Sequence, residues 1–202
     1  DAPPAHEDCV PFASIAKAWK ADGINVPDIA AIDLDNGFIL LSDFGDELYL
    51  KGLNQQSADA LYEKAINALI QIQQSTPLTS YPLPPYDTAL LDREMALFKD
   101  WLIGKKLEYH LSSKDNQMID GVFALLRENA LQQPQVPVHR DYHSRNLMIC
   151  DNTPGILDFQ DAVCGPITYD LVSLLKDCDI VWPEEKVLQW LHAYAEKARA
   201  AQ

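Results

Sequence analysis

His139-Arg140-Asp141-Tyr142-His143-Ser144-Arg145-Asn146, with Ile156-Leu157-Asp158-Phe159 close behind it, sets two acids and an amide at the spacing phosphoryl-transfer chemistry uses to hold a nucleophile and magnesium. In an H-R-D-x-x-x-x-N loop the Asp accepts or orients the substrate hydroxyl proton, the Asn ligates a metal, and the Asp of a following D-F pair supplies the second ligand. Those positions are Asp141, Asn146 and Asp158. Residue type follows from the chemistry. Mg2+ takes hard oxygen donors in near-octahedral geometry, and the moving phosphoryl group spreads negative charge that has to be neutralised.

Around the loop, Val136-Pro137-Val138-His139, Asn146 to Cys150 and Gly155-Ile156-Leu157-Asp158 read as short strands, whose tight turns bring the loop and the D-F turn together. Gly165-Pro166 predicts the start of a helix through Tyr169, Leu171, Val172, Leu174 and Leu175. Pro183 suits the first turn of a last helix carrying Val187, Leu188, Leu191 and Tyr194. Upstream of the loop the period is helical. Ser57 is placed to cap a helix with Leu61, Ala65, Leu69 and Ile72 on one stripe, ending before Pro77. A Pro-rich connector from Tyr81 to Tyr86 leads to a helix capped by Asp87, with Leu91, Met95, Phe98 and Leu102 on one face. Ser113 opens a third, with Ile119, Val122, Phe123, Leu126 and Ala130. Stripes of this kind are expected to be core packing.

Near the start, Phe12, Ile15, Ala16 and Trp19 recur at helical spacing from Pro11 to Asp22, and Gly23 stands where a left-handed cap ends a helix. Asp28 to Asp33 and Gly37 to Ser42 flank the turn signal Asp35-Asn36-Gly37 and predict a hairpin. After Ser42-Asp43-Phe44-Gly45 the period turns helical, which sets a boundary between residues 1–45 and 46–202. The sequence shows no internal repeat and no low-complexity segment.

With 202 residues, 48% of them hydrophobic, the chain can build one sizeable core, or one domain and part of a second. A formal charge of -14 argues against nucleic acid as a partner, because that affinity rests on Lys and Arg neutralising phosphates. Cys9, Cys150, Cys164 and Cys178 show no C-x-x-C spacing and read as reduced thiols, as expected of a cytoplasmic protein. No run approaches the roughly 18 apolar residues of a membrane span, and Asp1-Ala2-Pro3-Pro4 has neither the basic nor the apolar region of a signal peptide.

Taken with Ala2-Pro3-Pro4, Gly37 to Asp43, Val138 to Met148, Leu157 to Ala162 and Gly165 to Val172, these motifs resemble the aminoglycoside phosphotransferase and choline kinase group, over essentially the whole chain. Within it they are most similar to bacterial cell-wall sugar kinases acting on the anomeric hydroxyl of N-acetylmuramate and N-acetylglucosamine. The resemblance implies an α+β, protein-kinase-like fold: a mostly helical C-terminal lobe (46–202) and a partial N-terminal lobe of helix plus β-hairpin with the hinge (1–45). It implies ATP as co-substrate, Mg2+ as cofactor and a small amino sugar as acceptor. Asp141 becomes the catalytic base, and Asn146 and Asp158 the metal ligands. Ser42, Asp43 and Phe44 fall where hinge backbone meets adenine, so their side chains need not be informative. His139 holds backbone geometry, and Asp170 accepts hydrogen bonds from the catalytic loop.

Some positions stay open. Arg140 stands where this group often carries Gly, and is either structural or, like Arg145, a partner for the lactyl carboxylate of muramate, which a guanidinium matches bidentately. Asp161 either bonds a sugar hydroxyl or closes a loop contact. The phosphate-covering strands with the nucleotide Lys are expected before Asp1, and a helix Glu to pair with that Lys is missing, since only Glu7 and Asp8 lie just ahead of the first helix. Three other functions compete: a metal-dependent hydrolase using His139, Asp141 and His143 from one strand, a non-catalytic pseudokinase fragment, and a kinase acting on an aminoglycoside or amino alcohol. The hydrolase reading lacks the further ligands such clusters need.

Overall fold

The structure, a computed structural model, describes residues 8–76, 78 and 81–201. Ala2-Pro3-Pro4, Glu7 and Pro77 lie outside the described residues. Helix α1, Val10–Ala21, has Asp8 Oδ1 accepting from Val10 N–H at 2.8 Å and buries Ile15, Ala16 and Trp19. Gly23 follows it at φ 80°, and Ile24 N–H reaches back to Trp19 O at 2.9 Å, the left-handed stop the sequence signals. Strands β1, Ile29–Asp33, and β2, Phe38–Leu41, pair antiparallel with Asp33 opposite Phe38.

A single turn, α2 (Tyr49–Gly52), leads into α3, Ala58–Gln73, whose buried face takes in Tyr62, Ala65, Ile66, Leu69 and Ile72. Ser57 does not cap it. Its backbone is already helical, and its hydroxyl donates to Gly52 O at 2.7 Å, while Asn54 Oδ1 accepts from the amides of Gln56 and Ser57. Helix α4, Thr88–Leu97, is capped as expected, with Asp87 Oδ1 accepting from Leu90 N–H at 3.0 Å. From Phe98 to Lys106 the chain winds as a π-helix, and this wider turn carries Phe98 and Leu102 off the α4 stripe, leaving them 45% and 43% exposed. Helix α5, Ser113–Gln132, is capped by Ser112 in a reciprocal box with Asp115, one residue before the expected Ser113. Its apolar stripe is not core. No residue of α5 is buried, and Val122 and Leu126 are half exposed, because the helix meets its neighbours along one edge only.

Strand β3, Gln135–Val138, pairs antiparallel with β6, Val163–Pro166, where helix was expected from Gly165. The short strands β4, Leu147–Met148, and β5, Gly155–Ile156, pair between them in sequence. Helix α6 then runs Tyr169–Leu175, with Val172 exposed, and α7 Glu184–Ala200. On α7 the buried residues are Val187, Trp190 and Tyr194, while Leu188 and Leu191 face outward. One core links α1, α3, α6 and α7 around Trp19, Tyr62, Leu69, Tyr142, Leu147 and Phe159. A smaller one, Tyr86, Leu91, Val138 and Val163, fastens α4 to the β3–β6 ribbon. Among the described residues no helix is long and apolar enough to cross a membrane.

Candidate active site

Two short ribbons aim the polar residues. Leu147 pairs with Ile156, so the residues just outside that pair, Asn146 and Leu157, run side by side, and Leu157 N–H donates to Asn146 O at 3.0 Å. The next residue, Asp158, thereby faces Asn146, with Asn146 Nδ2 and Asp158 Oδ2 3.5 Å apart. The Asn146 amide also donates to Asp141 O at 3.0 Å, which ties the loop's first acid to its last amide. Asp158 sits at φ 63°, a left-handed conformation a short acid tolerates, and Gln160 Nε2 donates to its other oxygen at 2.7 Å.

Behind the loop, His139 is fully buried. Its Nδ1 accepts from Asp141 N–H at 3.3 Å, so the ring proton lies on Nε2, which donates to Leu157 O at 2.8 Å. Burial pulls its pKa down to about 4, keeping the ring neutral. With both nitrogens engaged and the ring sealed in the core, His139 offers no ligand to a metal beside Asp141, which removes the alternating His-Asp-His hydrolase arrangement. Asp170, at the start of α6 and 1% exposed, accepts from His139 N–H at 2.7 Å and from Arg140 N–H at 3.0 Å. Burial pushes its pKa up to about 7, and the two amides pull against that shift.

Arg140 stands at φ 79°. Its guanidinium bonds Glu94 Oε1 of α4 at 2.7 Å, and it passes 3.9 Å from Asp161 Oδ1, whose side chain is otherwise mostly exposed. Glu94 also accepts from the Tyr86 hydroxyl and, at 3.3 Å, from Tyr169 Oη. Burial first, and then the bond to Glu94, raise the Tyr86 phenol far above its ordinary pKa, so it remains a donor. Arg145 makes a two-pronged pair with Asp179, 2.5 Å through each nitrogen. Each arginine considered for a substrate carboxylate is thus already matched by an acid of the protein.

In residues 42–44, expected to meet adenine, Ser42 and Asp28 exchange two bonds, the Ser42 amide to Asp28 O at 2.9 Å and the Asp28 amide to Ser42 Oγ at 2.8 Å. Asp43 Oδ1 accepts from Gly45 N–H at 2.8 Å, and the Phe44 ring lies over Gly155. The Ser42 and Asp43 side chains thus serve nearby backbone, and the Phe44 ring packs on strand β5. A 460 Å³ cavity opens against Phe44, Lys20, Asn25, Cys150 and Thr153, but it contains none of Asp141, Asn146 or Asp158.

Glu94 and Asp177 escaped the sequence reading. Buried Asp177 accepts from Ser144 N–H at 2.9 Å and from Ser144 Oγ at 2.5 Å, holding the middle of the loop. Glu94 carried one signal, an acid between Leu91 and Met95 on a face otherwise read as apolar.

A mix of helices and two-stranded ribbons, with an acid, an amide and a second acid brought together by adjoining turns, defines a protein-kinase-like α+β class. Solved structures agree. An aminoglycoside 2'-phosphotransferase-IIIa in complex with GDP superposes with a TM-score of 0.65 at 16% identity, over 91% of this chain and 65% of that one. A choline/ethanolamine kinase family protein from Mesorhizobium loti superposes at 0.64 and 13% identity, over 91% and 58%. The sequence matches the family described as "Phosphotransferase enzyme family" across residues 1–202, and the chain belongs to that family. Among its curated relatives, the N-acetylmuramate/N-acetylglucosamine kinase of Pseudomonas putida is 45% identical over 201 residues, which is 100% of this chain and 59% of that protein. Its namesake in Pseudomonas aeruginosa is 46% identical over 98% of this chain and 58% of that protein. The chain thus spans somewhat under two thirds of the length of the curated relatives it matches.

Proposed function

We propose that this protein transfers a phosphoryl group from ATP to an acetylated amino sugar, N-acetylmuramate or N-acetylglucosamine, at the anomeric hydroxyl, giving the sugar 1-phosphate and ADP. The observation that carries the reading is that the Asn146 amide, at the end of paired strands β4 and β5, reaches both the Asp141 main-chain carbonyl and the Asp158 carboxylate. Relatives more than 40% identical that bear the name of an N-acetylmuramate/N-acetylglucosamine kinase favour the sugar over other acceptors. On this reading residues 1–45 are a partial N-lobe with hinge, 46–202 are the C-lobe, and the protein works in the cytoplasm.

The donor set fits Mg2+. Asn146 spends its amide nitrogen on Asp141 O and Asp158, and no donor among the described residues bonds its Oδ1, while each Asp158 oxygen accepts one bond and keeps a second lone pair, so a hard oxygen from each of Asn146 and Asp158 would serve the ion. Bound there, the metal supplies charge neutralisation at the phosphate oxygens. Asp141 accepts the proton of the sugar hydroxyl and points its oxygen in line with the terminal phosphate. Neutral His139 and Asp170 keep that acid's backbone fixed, and most of the rate comes from positioning. The hinge backbone from Ser42 to Phe44 meets adenine. Asp161, with its side chain largely free, reaches a sugar hydroxyl, and Arg140 and Arg145 serve the loop through their own acids.

The test is turnover of labelled ATP by the intact protein against acetylated amino sugars, aminoglycosides and choline. Product is expected only with the amino sugars. Asp141→Ala should lower kcat by about 10²- to 10⁴-fold with nucleotide affinity nearly intact, and Asp158→Ala should also weaken magnesium-nucleotide binding. A kcat in Asp141→Ala within about tenfold of the unaltered protein removes the assigned base.

A further inference from the structure

We propose that Glu94 is a positioning residue of the catalytic loop: by gripping Arg140 it holds the left-handed backbone turn from which Asp141 projects. The inference rests on Asp141 being the reacting acid. Arg140 has φ 79°, a conformation that L side chains other than Asn and Asp rarely adopt, so something outside the residue must keep it there. Two acids do so from opposite ends. Asp170 receives the Arg140 amide at 3.0 Å, and Glu94 receives its guanidinium at 2.7 Å.

Glu94 is itself well fixed. The hydroxyls of Tyr86 and Tyr169 donate to its second oxygen, leaving Oε1 for the arginine. Its helix is pinned by the Asp87 cap and by Leu91, which packs with Tyr86, Val138 and Val163, and Val138 is the last residue of the strand that enters the loop. Helix and loop therefore share one anchored frame. The pair is only about a quarter exposed, 24% for Arg140 and 27% for Glu94, so water competes weakly for it. This arrangement differs from recognition of a substrate carboxylate, which would need a guanidinium edge not already taken by an acid.

A kinetic cycle in the intact protein tests it. Glu94→Ala should lower kcat about 10- to 100-fold on both N-acetylmuramate and N-acetylglucosamine, with KM for ATP within about twofold, and Glu94→Gln should recover part of the loss by keeping an acceptor. In an Arg140→Gly background, where glycine takes φ 79° unaided, the same Glu94→Ala change should cost less than about threefold. Hydrogen exchange of residues 139–146 should quicken in Glu94→Ala and not respond to that change in the glycine background. An equal cost in both backgrounds, a loss confined to N-acetylmuramate, or a rise in KM at constant kcat would overturn the proposal. Absence of turnover in the unaltered protein sinks the kinase reading instead, and the exchange comparison then decides the clamp by itself.

Discussion

His139 and Asp170 show how two buried titratable residues hold the backbone of the loop that carries Asp141. His139 keeps its pKa near 4 because burial penalises its cation, and protonating Nδ1 would set a proton against the Asp141 amide it now accepts from. Its folded pKa lies below the ordinary 6.5, so its stabilising share is whole above about pH 6.5 and is lost as pH falls toward 4. Asp170 works the other way. Burial raises it to about 7 from 3.8, so its share is whole below the ordinary carboxylate value and is lost as pH rises toward 7. The two slopes oppose between about pH 4 and 6.5, which makes the difference between proteins the informative quantity. Thermal melts from pH 7 to 4.5 should show the unaltered protein losing stability relative to His139→Asn as pH falls, and parallel profiles would remove His139 as the acid-sensitive group. Arg140 is a different cost at the same scale, since a non-glycine residue at φ 79° stores about 1 to 3 kcal/mol that the surrounding bonds must offset.

Strand β5 and the segment carrying Phe44 touch at one glycine. A Cβ on Gly155 would fall 2.6 Å from Phe44 Cδ2, so the close approach of the two elements requires a residue without a side chain. Gly155→Ala should cost about 1 to 3 kcal/mol in urea denaturation, and Phe44→Leu should restore part of it by making room. Full stability in Gly155→Ala would show that the ring moves aside freely. The helical elements divide by how many neighbours they have. α3 and α7 press Tyr62 on Trp190, ring centroids 4.1 Å apart, whereas α4, the π-helix and α5 bury Leu91 and Ile103 but leave Leu97, Trp101, Val122 and Leu126 half in solvent. Urea melts of Trp190→Ala should show a loss of about 3 to 5 kcal/mol, while Leu125→Ala, on a residue 67% exposed, should change stability by less than about 0.5 kcal/mol.

Across the whole molecule, Phe159 joins what the chain order keeps apart. It follows the second acid directly, stacks on Phe12 with centroids 4.7 Å apart and touches Trp19 at 5.6 Å, so α1 rests on the same turn that carries Asp158. Phe159→Ala should therefore cost about 3 to 5 kcal/mol and loosen α1 together with the Asp158 turn, seen as parallel gains in hydrogen exchange at both; a gain at only one would uncouple them. The loop residues Asp141, Asn146 and Asp158, the helix stop at Gly23, the Asp87 cap and the hairpin were all legible in the chain, because each depends on residue types at short separations where local sterics and hydrogen bonding decide. Reading the α5 stripe as core failed for a matching reason. Periodicity reports which residues share a face, and says nothing of whether another element arrives to cover it. The pairing of β3 with β6, the π-helical turn, and the acids Glu94 and Asp177 that hold Arg140 and Ser144 became visible only in three dimensions. Apart from the π-helical turn, these contacts join residues some 25 to 46 positions apart, and their geometry is set by how the ribbons and helices pack and not by the identity of neighbours along the chain.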